Sequence, residues 1–386
     1  MLLALVAVWL LLALLTDGIF LTPRNLYNLS IQTCVIAVMT CGMVFMMVAR
    51  QIDLSVGSLL ALTGMCAAYT QVHIYEPGSP TGWIVSIVVA VAIGMLVGVF
   101  QGWWVAYQRV PAFVVTLAGY LMFRGAAFMV TDGQTIAPLH PLYQMLGGGI
   151  NGSIGVLASS VLGLAACAYV VWQRWTVRNA LRRYATALPP LWLEAAKAGV
   201  LCAAILGFVA VMNSYPDPTQ SNAAGRPVGK GIAIPVLILL AVVAVLTFVA
   251  QRTRFGRYVF AYGGNPEAAL LSGIDTRRLL MKIFVMMGIL AAIAGVITTA
   301  RLNSGANSIG QLAELYVIAA TVIGGTSLSG GVGSIPGAVV GALMIQTLDN
   351  GMVLLDVSSP MRQVFVGLVL IIAVWFDVVY NRKEGK

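Results

Sequence analysis

The side chains in this chain that could do chemistry are few, and they do not gather. His73 and His140 stand alone, and the five cysteines (Cys34, Cys41, Cys66, Cys167, Cys202) all lie inside apolar runs without metal-ligand spacing. The thiols read as small apolar packing groups. No GxxxxGK[ST] loop is present to cradle a nucleotide, and no segment groups a nucleophile with a base. The chain is therefore expected to be no enzyme and to hold no metal or cofactor of its own. What remains suits recognition and motion. Arg124 and Asp53 sit in or beside apolar runs, the stretch 324–334 is rich in glycine, and a polar segment surrounds Glu267.

That last segment, FGRYVFAYGGNPEAALLSGIDTRRLLMK over residues 255–282, encodes a discrete short helix. Asn265 is an N-cap and Pro266 takes the first helical position, where its missing N–H costs nothing. Glu267 in the first turn suits the positive end of the helix dipole. Ala268, Ala269, Leu270 and Leu271 supply an apolar face, and Gly273 can end the helix in a left-handed conformation. Such a helix needs cover. Physics alone leaves two partners open, another protein or the lipid surface.

The elements that must position these residues follow from composition. Of 386 residues, 60% are hydrophobic and only 9% charged, against about 25% charged in ordinary soluble domains. Apolar runs of roughly 20 residues, the length of a helix through a bilayer, fall at about 1–20, 28–49, 54–75, 82–108, 111–130, 154–173, 191–212, 232–251, 279–300 and 361–380. A glycine-broken pair lies at roughly 313–325 and 334–350. Continuous runs, rather than alternating ones, exclude a β-barrel. The expected fold is an all-α polytopic membrane protein with roughly 10–12 transmembrane helices or half-helices, one domain over 1–386. The run at 1–20 reads as a first spanning helix rather than a signal peptide, and its missing basic lead-in suggests residues upstream of Met1.

Charge sets the orientation. The formal +9 resides in short loops, which favours topology over nucleic-acid binding. Arg174, Arg178, Arg182 and Arg183 crowd one loop, Arg252, Arg254, Arg257, Arg277 and Arg278 another, and Arg382, Lys383 and Lys386 close the chain. All three are expected in the cytoplasm, with Arg50, Arg109 and both termini. Segments 75–82 and 131–153, which lack Lys and Arg, then lie outside, as does the turn-rich loop 213–231. Parity holds if 313–350 makes two crossings or a re-entrant dip. His73 and His140 fall outside.

At the segment around Glu267 a resemblance enters. NPEAALLSG is similar to the coupling-helix loop of ATP-binding-cassette importer permeases, with the EAA…G pattern at Glu267, Ala268, Ala269 and Gly273. More narrowly, the chain resembles the monosaccharide-importer permeases related to ribose permease. The stretches that carry this are RNLYNLSIQ (24–32), QIDLSVGSLLALTG (51–64), VPAFVVTLAGYLMFRG (110–125), TDGQTI (131–136) and IAATVIGGTSLSGGVGSIPGAVVGALMI (318–345). An extra helical hairpin at about 150–230 departs from the ribose pattern and resembles the D-xylose branch. It could be an added docking surface or a lipid-facing decoration.

The resemblance implies a permease subunit that binds no ATP, working as a homodimer in the lipid of the bacterial inner membrane. A cytoplasmic ATPase using Mg-ATP would grip the loop at about 252–278, through Asn265, Pro266, Glu267, Ala268, Ala269 and Gly273. A periplasmic sugar-binding protein would dock outside. Candidate path residues are Asp53, Ser55, Arg124, Gly324, Gly325 and Ser327. Arg124 either hydrogen-bonds sugar hydroxyls or pairs with Asp132, and Asp53 either caps a helix starting at Leu54 or lines the path. The 324–334 stretch is either a broken helix at the path or a tight turn at the cytoplasmic surface. IDLSVGS at 52–58 echoes it, a hint of an inverted repeat. Glu194 and Lys197 are placed to pair. An ion-coupled secondary transporter is the competing class, disfavoured because Glu314, Asp349 and Asp377 all lie near run ends, which leaves no carboxylate at the bilayer midplane.

Overall fold

A computed structural model of the protein describes residues 2–76, 78–149, 152–183, 190–221 and 227–384. The first half comprises α1 (Leu2–Leu15), α2 (Pro23–Val48), α3 (Val56–Tyr69), α4 (Gly82–Ala106), α5 (Ala112–Met129) and the short α6 (Pro141–Met145). A hairpin of α7 (Gly155–Arg183) and α8 (Leu191–Ser214) follows, with a small ribbon of β1 (Pro216–Ser221) and β2 (Pro227–Gly229). The second half comprises α9 (Ile234–Arg252), α10 (Arg254–Gly264), α11 (Pro266–Leu271), α12 (Thr276–Leu302), α13 (Ala313–Ile323), α14 (Ile335–Leu354) and α15 (Ser359–Glu384).

Among the described residues, eight helices are long and apolar enough to cross a membrane: α2, α4, α5, α7, α8, α9, α12 and α14. The chain is a multi-pass, all-α membrane protein. α2 is the central pillar, buried along almost its whole length, with Met39, Met43, Met46 and Met47 fully enclosed. Small residues let the helices around it approach closely, since lipid supplies no hydrophobic drive for association. α4 and α12 run antiparallel through Gly94, Gly98 and Gly102. A Cβ at Gly94 would strike the carbonyl of Gly288, and one at Gly288 would strike that of Gly94.

One face gathers the ends of α2, α4 and α9, the starts of α12 and α14, and the residues Arg50, Arg109, Arg252, Arg254, Arg257, Arg277 and Arg278. We call it the basic face. Two stretches enter the bundle without helical structure. After α2, residues 49–55 turn back from the basic face before α3 begins, and α3 ends in a π-helical turn at Thr70–Ile74. From the opposite end of α12, residues 303–312 turn inward until α13 begins. The two meet at Gly57, where a Cβ would strike Glu314 and the carbonyl of Gly310.

Several expectations are corrected. α13 has 11 residues, about 16 Å, half of a roughly 30 Å hydrocarbon slab. With the unwound stretch 303–312, this half-helix carries the chain from the far end of α12 to the basic face, and α14 leads back, so the expected parity of two crossings holds with a broken first leg. For the same reason Glu314 does not sit at a membrane surface; its start-of-helix position falls deep in the bundle, where it is 5% exposed. A buried carboxylate is thus present at depth after all. α3 begins at Val56, and Asp53 does not cap it; its Oδ1 accepts from the Ser55 N–H at 2.8 Å instead. α1 has 14 residues and docks on α14 through a hydrogen bond of 3.1 Å from Trp9 Nε1 to Thr347 Oγ1. Glu194 pairs across the α7–α8 hairpin with Arg178 at 2.6 Å rather than with Lys197. The loop expected at 213–231 is partly strand, and its residues 222–226 lie outside the described ones, as do 184–189 between α7 and α8, and Lys386.

Candidate functional site

The segment around Glu267 folds as a capped unit. Thr253 opens α10, its hydroxyl accepting from the Gly256 N–H at 3.2 Å. Asn265, at φ −148°, breaks the chain between α10 and α11, and its Oδ1 accepts from the Ala268 N–H at 3.0 Å. Pro266 occupies the first position of α11 and Glu267 its first turn. The Ser272 hydroxyl donates to the Ala268 carbonyl at 2.7 Å, and Gly273 turns the chain out at φ +80°. Asp275 then caps α12, accepting from the Arg278 N–H at 3.0 Å. Each helix start in this stretch has a side-chain cap for one of its free backbone N–H groups, which helps fix the shape of the unit.

Its faces divide sharply. Ala269 is 4% exposed and turns inward. Leu270 and Leu271 stand out at 61% and 88% exposure. Beside them lies a groove of about 560 Å³ lined by Arg109, Pro111, Tyr262, Glu267, Leu270 and Arg277 among others. Burial pushes the Tyr262 hydroxyl above its ordinary pKa despite the opposing pull of the Arg50 guanidinium, so the phenol stays neutral.

Three elements lock together beneath the unit. Arg50, just past α2 and left-handed at φ +59°, donates from Nε to the Gly263 carbonyl at 2.7 Å and from Nη2 to the Gly264 carbonyl at 2.9 Å. The Gly331 N–H donates to the Val48 carbonyl at 3.0 Å. Gly263 has no room for a Cβ, which would strike the Val48 carbonyl and come within 2.6 Å of the Gly331 nitrogen. The ends of α2 and α10 and the glycine-rich loop 324–334 thus form one contact. Sequence reading placed Arg50 on this face and gave it no role; nothing local marks it as a clamp, because its acceptors lie more than 200 positions away.

The expected path residues do not come together. Asp53 and Ser55 are 1% and 0% exposed and satisfy each other, with an Oγ to Oδ1 hydrogen bond of 2.6 Å, and Gln101 Nε2 donates to Ser55 Oγ at 2.8 Å. Arg124 makes no hydrogen bond or ion pair with Asp132. Its Nη1 donates to the carbonyls of Asn307 and Ile309 at 2.7 and 2.8 Å, clamping the unwound stretch before α13. Gly324, Gly325 and Ser327 lie at the basic face in a tight turn, with Gly325 at φ +86° and Ser327 Oγ 2.7 Å from Ser329 Oγ. Gly324 is there for close packing, since a Cβ would fall 2.4 Å, within overlap, from the Ala338 Cα. None of these six lines the groove beside α11.

Comparison with known proteins adds the family. Residues 25–374 match the family described as the permease component of the branched-chain amino acid transport system. The xylose transport system permease protein of Haemophilus influenzae is 41% identical over 385 residues, covering 99% of this chain and 96% of that protein. The corresponding Escherichia coli K12 protein is 39% identical over 389 residues, covering 100% and 92%. The ribose import permease protein of Escherichia coli K12 is 32% identical over 365 residues, covering 95% and 88%. No solved structure matches. The chain belongs to this family of transport-system permease components, non-catalytic membrane subunits, and its multi-pass bundle fits them.

Proposed function

We propose that the chain is the membrane subunit of an ATP-driven importer that carries a monosaccharide, D-xylose first, across the bacterial inner membrane. The observation that carries the reading is α11: a rigid, capped helix whose Leu270 and Leu271 project from the basic face while Arg50 ties its base to α2. A cytoplasmic ATPase, the partner that consumes Mg-ATP, seats these leucines in an apolar pocket through the loop from Asn265 to Gly273. The basic face is then cytoplasmic, with both termini on that side, and a periplasmic sugar-binding protein docks on the opposite face. The working unit is a homodimer bathed in lipid. The relatives named for xylose, at 39–41% identity over the full chain, support the substrate, and the ribose relative at 32% is more distant.

In this reading α11 acts as a lever. Force on α11 reaches α2 through Arg50, and reaches the α13–α14 pair through the Gly331–Val48 contact. Rigid linkage matters because only motion shared by these elements can open one face while closing the other. The test is reconstitution of the permease with its ATPase and binding protein in sealed vesicles. Xylose uptake should require ATP on the basic-face side and stop when a hydrolysis-dead ATPase is supplied. Uptake that instead follows a proton or sodium gradient without ATP refutes the reading.

A further inference from the structure

On the face opposite the basic one, α2, α12, α14 and α15 line an open cavity of about 370 Å³. Its size lies at the small end of the roughly 300–1,000 Å³ typical of small-molecule pockets. Its lining is polar: Gln32, Thr298, Arg301, Gln346, Asp349 and Arg362 contribute. Asp349 Oδ1 accepts from Arg362 Nη1 at 3.1 Å, which fixes one wall. Asn350 beside it is pinned by reciprocal hydrogen bonds with Asn25 of 2.9 and 3.1 Å.

Three lining side chains are left over. Among the described residues, Gln32, Gln346 and Arg301 make no side-chain hydrogen bond or ion pair. Gln346 is only 9% exposed. Its amide atoms face the cavity, as do those of the half-buried Gln32 and the exposed Arg301, so a solute there is what the three can bond. The three come from three different helices and face one space, so local helix structure does not account for them. Two amides and a guanidinium offer both donors and acceptors to a compact, uncharged, hydroxyl-rich solute. The cavity carries an ion pair already neutralised, and it has no aromatic wall on which a ring could stack tightly.

We propose that this cavity is a transit site for a monosaccharide entering from the opposite face, with Gln32, Gln346 and Arg301 hydrogen-bonding its hydroxyls and the Asp349–Arg362 pair shaping the wall. The site rests on the importer reading for its direction of travel. It replaces Asp53 and Ser55, which the fold has closed off, and Arg124, whose guanidinium serves the Asn307 and Ile309 carbonyls. Weak, purely polar binding suits transit, because a solute that must leave again cannot be held tightly.

The test uses the full transporter in proteoliposomes. Gln346→Cys and Gln32→Cys chains are treated with a hydrophilic thiol reagent from the opposite face, and the modified fraction at each position is read by peptide mass. Saturable slowing of modification by D-xylose, with no effect of betaine at equal osmolarity, is the expected result at both positions. Gln346→Leu and Gln32→Leu should each lower xylose uptake about tenfold, the cost of an unpaired hydroxyl contact, at normal membrane levels and normal ATPase binding. The two positions lie on separate helices, so one misfolded variant leaves the other to decide. Equal modification rates with and without xylose, or full uptake by both leucine variants, overturn the site. ATP-dependent uptake by the unmodified chain together with those results would leave the importer standing and refute only the cavity. Saturable protection without ATP dependence would do the reverse.

Discussion

Replacing Leu271 with alanine separates docking from folding. The side chain is 88% exposed and makes no contribution to the core, so the bundle loses almost nothing when it is cut back. In the proposed complex the ATPase buries the same side chain. Removing three carbons at about 0.8 kcal/mol per methylene costs binding about 2 kcal/mol, a loss of roughly thirtyfold in affinity. The assay is titration of detergent-purified permease with labelled ATPase, with thermal unfolding of each permease alone as the control. The expected outcome is an affinity lowered roughly thirtyfold with unchanged unfolding temperature. A Leu271→Ala chain that binds the ATPase within twofold of the parent, at unchanged stability, refutes docking through α11.

Further outcomes follow from the same contacts. Arg50→Ala removes two hydrogen bonds to the Gly263 and Gly264 carbonyls but leaves α11 exposed; ATPase binding should persist while uptake per ATP hydrolysed falls several-fold, and Arg50→Lys should rescue little because one ammonium cannot reproduce the fork. Arg124→Met strips the donors from the Asn307 and Ile309 carbonyls, at about 1.5–3 kcal/mol per charged hydrogen bond; the yield of monodisperse protein in detergent should drop, whereas normal yield with lost uptake would restore a direct sugar contact. Gly288→Ala drives a methyl into the Gly94 carbonyl, and overpacking of about 1–3 kcal/mol should lower the unfolding temperature by several degrees. Gly273→Val places a β-branched residue at φ +80°, so it should reduce ATPase binding without altering membrane insertion.

The sequence alone determined what depends on local pattern. Apolar runs near the bilayer thickness became the long helices, because in lipid a helix is the way a single run can satisfy its own backbone. Asn265, Pro266 and Gly273 shaped α11 correctly, since caps act over three or four residues and are written in the segment itself. The resemblance carried by NPEAALLSG and the stretches along the chain pointed to the family that full-length comparison then established.

What spacing along the chain could not give was partnership across it. Asp53 and Ser55 looked like path residues because polar groups beside an apolar run are conspicuous, yet the fold closes them against Gln101. Arg124 looked destined for Asp132 because the two are near in sequence, yet the guanidinium serves carbonyls some 180 residues away. Glu314 looked superficial because it opens a run, and only the half-length of α13 carries it to depth. Conversely Gln32, Arg301 and Gln346 look unremarkable in three separate segments. Packing decides which polar groups are spent on one another and which are left facing a cavity, and that is a property of the assembled bundle rather than of any stretch of it.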